Sequence, residues 1–334
     1  MSPLPAARLV DGFGRIATDL RVSLTDRCTL RCTYCMPAEG LDWTPRSELL
    51  TDGELVRLIR IAVGLGVREV RLTGGEPLLR PGLAGLVARV RAACPDLALS
   101  LTTNGLRLAE LAPALAAAGL ARVNVSLDTL RPDRFRALTR RDGLEDVLAG
   151  MAAAAAAGFA PVKVNTVLVR DSNDDEAPDL LDYCLARGYQ LRFIEFMPLD
   201  AGHTWSRPDL VTAAEILARL GQRWTLTPTA EQRGSAPAET WLVDGGPATV
   251  GVIGSVTRPF CGACDRVRLT ADGQIRNCLF ARSETDVRTA LRGGADDEAI
   301  AALWVAAVAG KAAGHGIDDP DFRQPDRPMS AIGG

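Results

Sequence analysis

Eight residues near the start of the chain, CTLRCTYC at 28–35, hold Cys28, Cys32 and Cys35 in C-x3-C-x2-C spacing. A second group, Cys261, Cys264 and Cys278, follows C-x2-C-x13-C spacing within CGACDRVRLTADGQIRNC. Thiolates at such spacing hold zinc or an iron–sulfur cluster. A closed zinc site takes four ligands. Each group here offers three. One reading completes the first group from a distance, but the only histidines, His203 and His315, show no metal-ligand spacing. Cys94 or Cys184 could complete the second, yet both sit in or at the end of helical patterns, as inert buried thiols do. The other reading is a cubane cluster on three thiolates, with one iron open to a substrate or cofactor. An open iron is a catalytic feature.

Arg266 and Arg268 lie inside the second group, with Arg276 beyond the turn. On one strand, residues two apart share a face. Side-by-side guanidinium forks repel unless an anion sits between them, and they match phosphate. A solvated pair on an exposed strand is the plainer alternative; adjacency to a metal cluster favours a phosphate or nucleotide.

The elements that position these residues alternate. Strands are predicted at 21–24, 69–73, 98–103, 122–127, 162–169 and 191–196, with helical patterns between them. Thr51 and Glu54 form a capping box before the helix at 51–63, and Gly64, Gly66, Gly119, Gly158 and Gly188 stand at helix stops. Such repetition implies parallel βαβ units. Six units predict an α/β fold, an incomplete (β/α)6 barrel of the TIM type; an open doubly wound sheet is the alternative. Functional loops then lie at the C-terminal ends of the strands, where Cys28–Cys35 falls. After residue 222 the rhythm breaks into short strands at 241–244, 249–253, 266–270 and 274–276, with a hairpin cue at Asp272-Gly273. The division expected is a barrel over 1–222 and a smaller α+β lobe over 223–334, with 226–240 an exposed loop.

Composition limits the rest. The 334 residues carry a formal net charge of −3, which argues against general binding to nucleic acid and makes any basic site local. Of the 38 basic residues only Lys163 and Lys311 are lysine. No apolar run reaches the 18 residues of a membrane helix. The start lacks a basic stretch followed by an apolar core, so a cytoplasmic protein is expected. Eight cysteines there point to metal or redox chemistry rather than disulfides.

C-x3-C-x2-C with Tyr34 before its last cysteine resembles the signature of radical S-adenosylmethionine (SAM) enzymes. LTGGEPLL at 72–79 resembles that superfamily's GGEP motif: Gly74 and Gly75 let backbone approach a ligand, and Glu76 can accept from an ammonium. With the second cysteine group, the DGFGRIATDLRVSLTDRC run before the first and the terminal MSAIGG, nearly the whole chain resembles the GTP 3′,8-cyclase family of molybdenum cofactor biosynthesis. Thr29, where that family often has Asn, is a departure at a non-ligand position.

The resemblance implies two [4Fe–4S] clusters, one on Cys28, Cys32 and Cys35 for SAM, the other on Cys261, Cys264 and Cys278 for GTP. It implies SAM contacts from Tyr34, Gly75, Ser126 and Met197. GTP contacts are implied for Arg21, Arg71, Thr102, Lys163, Arg266, Val267 (through its backbone) and Arg268, with Arg21 and Arg71 the candidate catalytic residues. Arg21, Arg71, Thr102 and Lys163 also fall on predicted strands, and a basic residue inside a barrel needs an anionic partner. A structural ion pair is the plainer reading for each. The implied reaction abstracts the C3′ hydrogen of GTP with a 5′-deoxyadenosyl radical, and the new radical attacks C8 of guanine. Also implied are a flavodoxin-like electron donor, a downstream cyclic pyranopterin monophosphate synthase, a homodimer and a Gly-Gly tail that enters the active site. The rivals are a peptide-modifying radical SAM enzyme and a zinc-stabilised nucleic-acid module.

Overall fold

Thr51 caps the helix Asp52–Gly64 as its sequence predicts: its hydroxyl accepts from the Glu54 N–H at 3.2 Å, and the Glu54 carboxylate accepts from the Thr51 N–H at 2.7 Å. The same box recurs at Thr212 and Glu215, opening Ala213–Leu220. These are details of a computed structural model that describes residues 8–231 and 233–333. The second glycine of the tail, Gly334, and the first seven residues lie outside the described part.

Six strands, β1 (Asp19–Ser23), β2 (Glu69–Thr73), β3 (Ala98–Thr103), β4 (Arg122–Ser126), β5 (Lys163–Leu168) and β6 (Gln190–Glu195), pair in sequence order and all in parallel. Helices connect them, as parallel neighbours require. This is the incomplete (β/α)6 barrel. In β5 and β6 every second residue is buried, Val164, Leu168, Leu191 and Phe193 in the apolar core, and the residues between face inward. The core lies between strands and helices, with Leu20, Val70, Val123, Val164 and Phe193 inaccessible to solvent.

The remaining strands are β7 (Leu226–Pro228), β8 (Glu239–Val243), β9 (Thr249–Ile253), β10 (Arg266–Leu269), β11 (Gln274–Arg276) and β12 (Thr285–Asp286). They lengthen the same sheet. β9 joins β6 and β10 joins β1, both in parallel, and β8–β7 and β11–β12 continue antiparallel at the two edges. No break in the sheet marks residue 222. The stretch 226–240, expected as an exposed loop, is bounded by strand at both ends, because Leu226 and Thr227 pair with Val243 and Leu242. Beyond the sheet edge, the helix Asp297–Ala309 buries Ile300 and Trp304 and holds the first helix through Arg57 and Asp297, 2.7 Å apart.

Candidate active site

The first cysteine loop is held from outside by backbone. The Gly75 and Glu76 N–H groups donate to the Thr25 and Arg27 carbonyls, each at 2.7 Å. Gly74 sits at φ +144°, and a Cβ on it would collide with the Thr25 carbonyl. A Cβ on Gly75 would strike the carbonyls of Asp26 and Arg27. These glycines are required by the protein's own cysteine loop, which approaches them as a ligand was expected to. Cys35 and Met36 donate to the Cys32 carbonyl at 2.9 and 3.0 Å, closing a tight turn, and Arg31 and Thr33 donate to Thr139 and Leu138, each at 2.9 Å.

Glu76 is not aimed at a ligand. Its carboxylate, on a residue 2% exposed, accepts from the Leu78 N–H at 2.9 Å, the Thr103 hydroxyl at 2.7 Å and the Asn104 N–H at 2.7 Å. It ties the GGEP loop to the end of β3. Burial pushes its pKa up to about 7 against those three hydrogen bonds. The expectation that Glu76 receives an ammonium is corrected on that ground: three donors of the chain itself hold the carboxylate, and Glu76 does not line the cavity described below.

All six clustered cysteines are free and face one cavity of about 350 Å³, within the range of small-molecule sites. Burial and neighbouring thiols push Cys32 far up and Cys35 to about 12. Such thiols ionise readily only when a cation arrives. In the second group, burial raises Cys264, but the Lys311 charge and the Arg266 backbone N–H outweigh it and the net shift is downward. Arg15 fastens this group to the N-terminal segment, donating to the Cys261 carbonyl at 2.6 Å, to Ala313 at 2.8 Å and to Asp11 at 2.6 Å. Cys94 and Cys184 are buried outside the cavity, as expected.

The wall between the groups is cationic. Parallel register sets Arg268, Arg21, Arg71, Ser100 and Arg122 in one row across β10, β1, β2, β3 and β4. Neighbouring strands lie about 4.8 Å apart, so these charges repel. Asp19, one layer down, pairs with Arg21 at 3.0 Å and Arg266 at 3.4 Å. Glu69 pairs with Arg71 at 3.2 Å and with Arg122. Burial and Arg21 hold the guanidinium pKa values of Arg71 and Arg268 below their usual range. Both remain cations at neutral pH.

Of the residues expected around GTP, Arg21, Arg71, Thr102, Arg266 and Arg268 line the cavity. Lys163 does not; it sits on the same face of β5 as Asn165, two residues earlier, where burial and Arg192 lower its pKa to about 7. The Val267 side chain points the other way, into the core. The expected SAM residues Tyr34, Gly75, Ser126 and Met197 all line the cavity. Tyr34 donates to Asp128 at 2.5 Å and meets Phe196 edge-on at 6.2 Å.

Asp128, Asn165 and Arg192 also line the cavity and were not singled out from sequence. A signal existed: RVNVS, KVNT and QLRF alternate polar with apolar residues, and the polar set faces inward. The tail enters as well. Gly333, at φ +87°, offers its carbonyl to Arg268, and a Cβ there would collide with the Thr73 hydroxyl. Met329 and Ser330 line the cavity, and the Ser330 N–H faces the Cys35 sulfur.

A family model described as Radical SAM superfamily matches residues 22–184, and one described as Molybdenum Cofactor Synthesis C matches 189–317. A GTP 3′,8-cyclase of Streptomyces coelicolor is 66% identical over 98% of this chain and 96% of its own. One from Mycolicibacterium smegmatis is 61% identical over 100% of this chain and 94% of its own. The chain belongs to the GTP 3′,8-cyclase family. A crystal structure of Streptococcus suis SuiB bound to a precursor peptide aligns with TM-score 0.57 at 16% identity, over 80% of this chain and 61% of that one; it carries the fold alone.

The donor set fits the cofactors that radical SAM membership implies, a [4Fe–4S] cluster and SAM. Three thiols without a fourth protein ligand suit a cluster that keeps one iron for an exogenous chelate. Among the described residues no three His, Cys, Asp or Glu side chains gather around a single-ion position. None of the helices described is long and apolar enough to cross a membrane.

Proposed function

We propose that this chain converts GTP to (8S)-3′,8-cyclo-7,8-dihydroguanosine 5′-triphosphate, the first step of molybdenum cofactor biosynthesis. One observation carries the reading: a single cavity has two cysteine triads on its wall and a row of arginines between them. Cys28, Cys32 and Cys35 would hold one [4Fe–4S] cluster, and Cys261, Cys264 and Cys278 a second. When bound, the first cluster and SAM would supply the radical chemistry needed to remove hydrogen from C3′ of GTP.

The chain's own residues do the rest. Arg21, Arg71, Arg266 and Arg268 bind the triphosphate, since guanidinium forks match phosphate and keep their protons. Thr102 and Arg192 flank them, and Lys163 adds charge from behind. Tyr34, Gly75, Ser126 and Met197 hold SAM against the opposite wall. The apolar side chains Met197, Ile253 and Phe260 keep water from the reacting atoms, and fixed placement supplies the orientation such a reaction needs. The Gly333 carbonyl holds Arg268 in place. An outside one-electron donor and a synthase that consumes the cyclic nucleotide belong to the same reading.

The test uses anaerobically reconstituted protein, SAM, a strong reductant and GTP deuterated at C3′. Deuterium in the 5′-deoxyadenosine is the expected result. Unlabelled 5′-deoxyadenosine alone would remove GTP as the substrate. No 5′-deoxyadenosine from fully loaded protein would remove the radical SAM reading.

A further inference from the structure

Lys311 follows the helix Asp297–Ala309 and turns its side chain inward, leaving the residue 6% exposed. Its Nζ donates to the Arg266 carbonyl at 2.7 Å and the Cys264 carbonyl at 3.3 Å, and reaches the Cys264 sulfur at 3.3 Å. Among the described residues it forms no ion pair with a carboxylate within 4.0 Å. A buried ammonium is costly unless negative charge faces it. What faces Lys311 is a sulfur.

The two cysteine groups otherwise have similar surroundings. Each has one arginine on a cysteine carbonyl: Arg31 on Cys28 at 2.7 Å, Arg15 on Cys261 at 2.6 Å. The first group's sulfurs meet neutral donors, Asn104 Nδ2 at 3.8 Å from Cys28 and the Ser330 N–H at Cys35. Among the described residues, only the second group has a cationic donor on a sulfur. Donors to a ligand sulfur draw charge from a cluster and favour its reduced, more negative state.

We propose that Lys311 tunes the second cluster, its ammonium hydrogen bond on the Cys264 sulfur raising that cluster's reduction potential and leaving the first cluster's unchanged. The inference rests on the reading that Cys261, Cys264 and Cys278 hold a [4Fe–4S] cluster. Lys311 touches no substrate; it acts through Cys264. A cluster eased toward reduction beside the nucleotide is suited to hold an electron for the last step of the reaction.

The experiment titrates both clusters of the reconstituted full chain by EPR, in wild type, K311M, K311Q and K311R. The first cluster serves as the internal reference. K311M is expected to disfavour reduction of the second cluster about tenfold, equal to about 59 mV for a one-electron couple. K311R keeps the wild-type midpoint within a third of that shift, and the first cluster's midpoint stays fixed in all four proteins. An unchanged second midpoint in a loaded K311M protein overturns the proposal, as does an equal shift in both clusters. If neither K311M nor K311Q holds the second cluster while K311R does, Lys311 is a structural holder and the tuning role falls. If iron and sulfide counts show one cluster even in wild type, the reading beneath the proposal fails instead.

Discussion

Replacing Glu76 by glutamine separates an internal anchor from a ligand-binding carboxylate, and the outcome depends on pH. The side chain accepts three hydrogen bonds, at 2.9, 2.7 and 2.7 Å, from Leu78, Thr103 and Asn104. Protonated Glu76 keeps them, because the Thr103 hydroxyl can turn and accept the acid proton. Glutamine must aim its NH2 at the Leu78 or the Asn104 N–H. One buried donor then goes unpaired, at a cost of about 2 kcal/mol. The ionised carboxylate carries a cost of its own. Its pKa rises in the folded chain from 4.5 to about 7, chiefly through burial. Between those values the native state keeps a proton that the unfolded chain has released, so stability falls as pH rises, by up to about 1.4 kcal/mol per unit. The glutamine variant lacks that slope. E76Q is therefore less stable than wild type by about 1 kcal/mol at pH 5, equal to it near pH 6 and more stable by about 1 kcal/mol at pH 8. Urea unfolding of both proteins without cofactors, followed by circular dichroism from pH 5 to 8, reads the crossing. A stability gap constant with pH would refute the raised pKa. Equal stabilities throughout, with only SAM affinity lost, would refute the anchor and restore the ligand role.

The remaining predictions concern the loop, the tail and the charge in the barrel. G75A pushes the Asp26 and Arg27 carbonyls away, and reconstitution should load the first cluster to less than half of wild type; G85A, in the open first turn of the helix Leu83–Ala93, should raise Tm through about 0.5 kcal/mol. G333A, with a strained φ and a clash at Thr73, should leave Tm within two degrees or so of wild type while cutting turnover roughly a hundredfold, a misplacement effect. Lys163, held near pKa 7 by burial and by Arg192, Arg122 and Arg71, should take up roughly half a proton at pH 7.5 when a triphosphate neutralises those arginines. Calorimetry in two buffers of different ionisation enthalpy measures that uptake, and K163M should abolish it.

Local signals in the chain were legible and long-range ones were not. The capping box at Thr51, the strand starts and both cysteine groups depend mostly on residues a few positions apart; the box falls where the spacing puts it, and the strands start within two residues of their expected positions. The parallel join of β10 to β1 links residues about 247 apart, and nothing in RVRL names its partner. QLRFIE reads as a strand without saying which face lines a cavity, so only closure of the barrel gives the polar phase of Arg192 a meaning. Glu76 misleads in the opposite way. A carboxylate in a glycine loop looks free to bind, and the three donors that occupy it come from residues 78, 103 and 104, two of them a strand away.

The charge balance of the barrel interior explains why so many of these residues wait on a ligand. Arg268, Arg21, Arg71 and Arg122 share one register row, with Arg266, Arg192 and Lys163 beside it, while among the described residues Asp19, Glu69 and Asp265 are the carboxylates that pair with them. Three anions cannot neutralise six guanidinium groups and the lysine beside them. An ordinary core would not tolerate this, because each uncompensated buried charge costs several kcal/mol. The sheet bears it because parallel strands with helices behind them are stiff, and most apolar residues of the alternating pattern pack into the core outside. Neutral acceptors then complete the geometry without cancelling charge: Ser100 takes a hydrogen bond from Arg71 at 3.3 Å, and Gly333 takes one from Arg268. A fold that wanted only stability would place glutamate at these positions. Carbonyls and hydroxyls leave the excess charge in place, aimed into the cavity, so that a polyanion gains from every arginine at once.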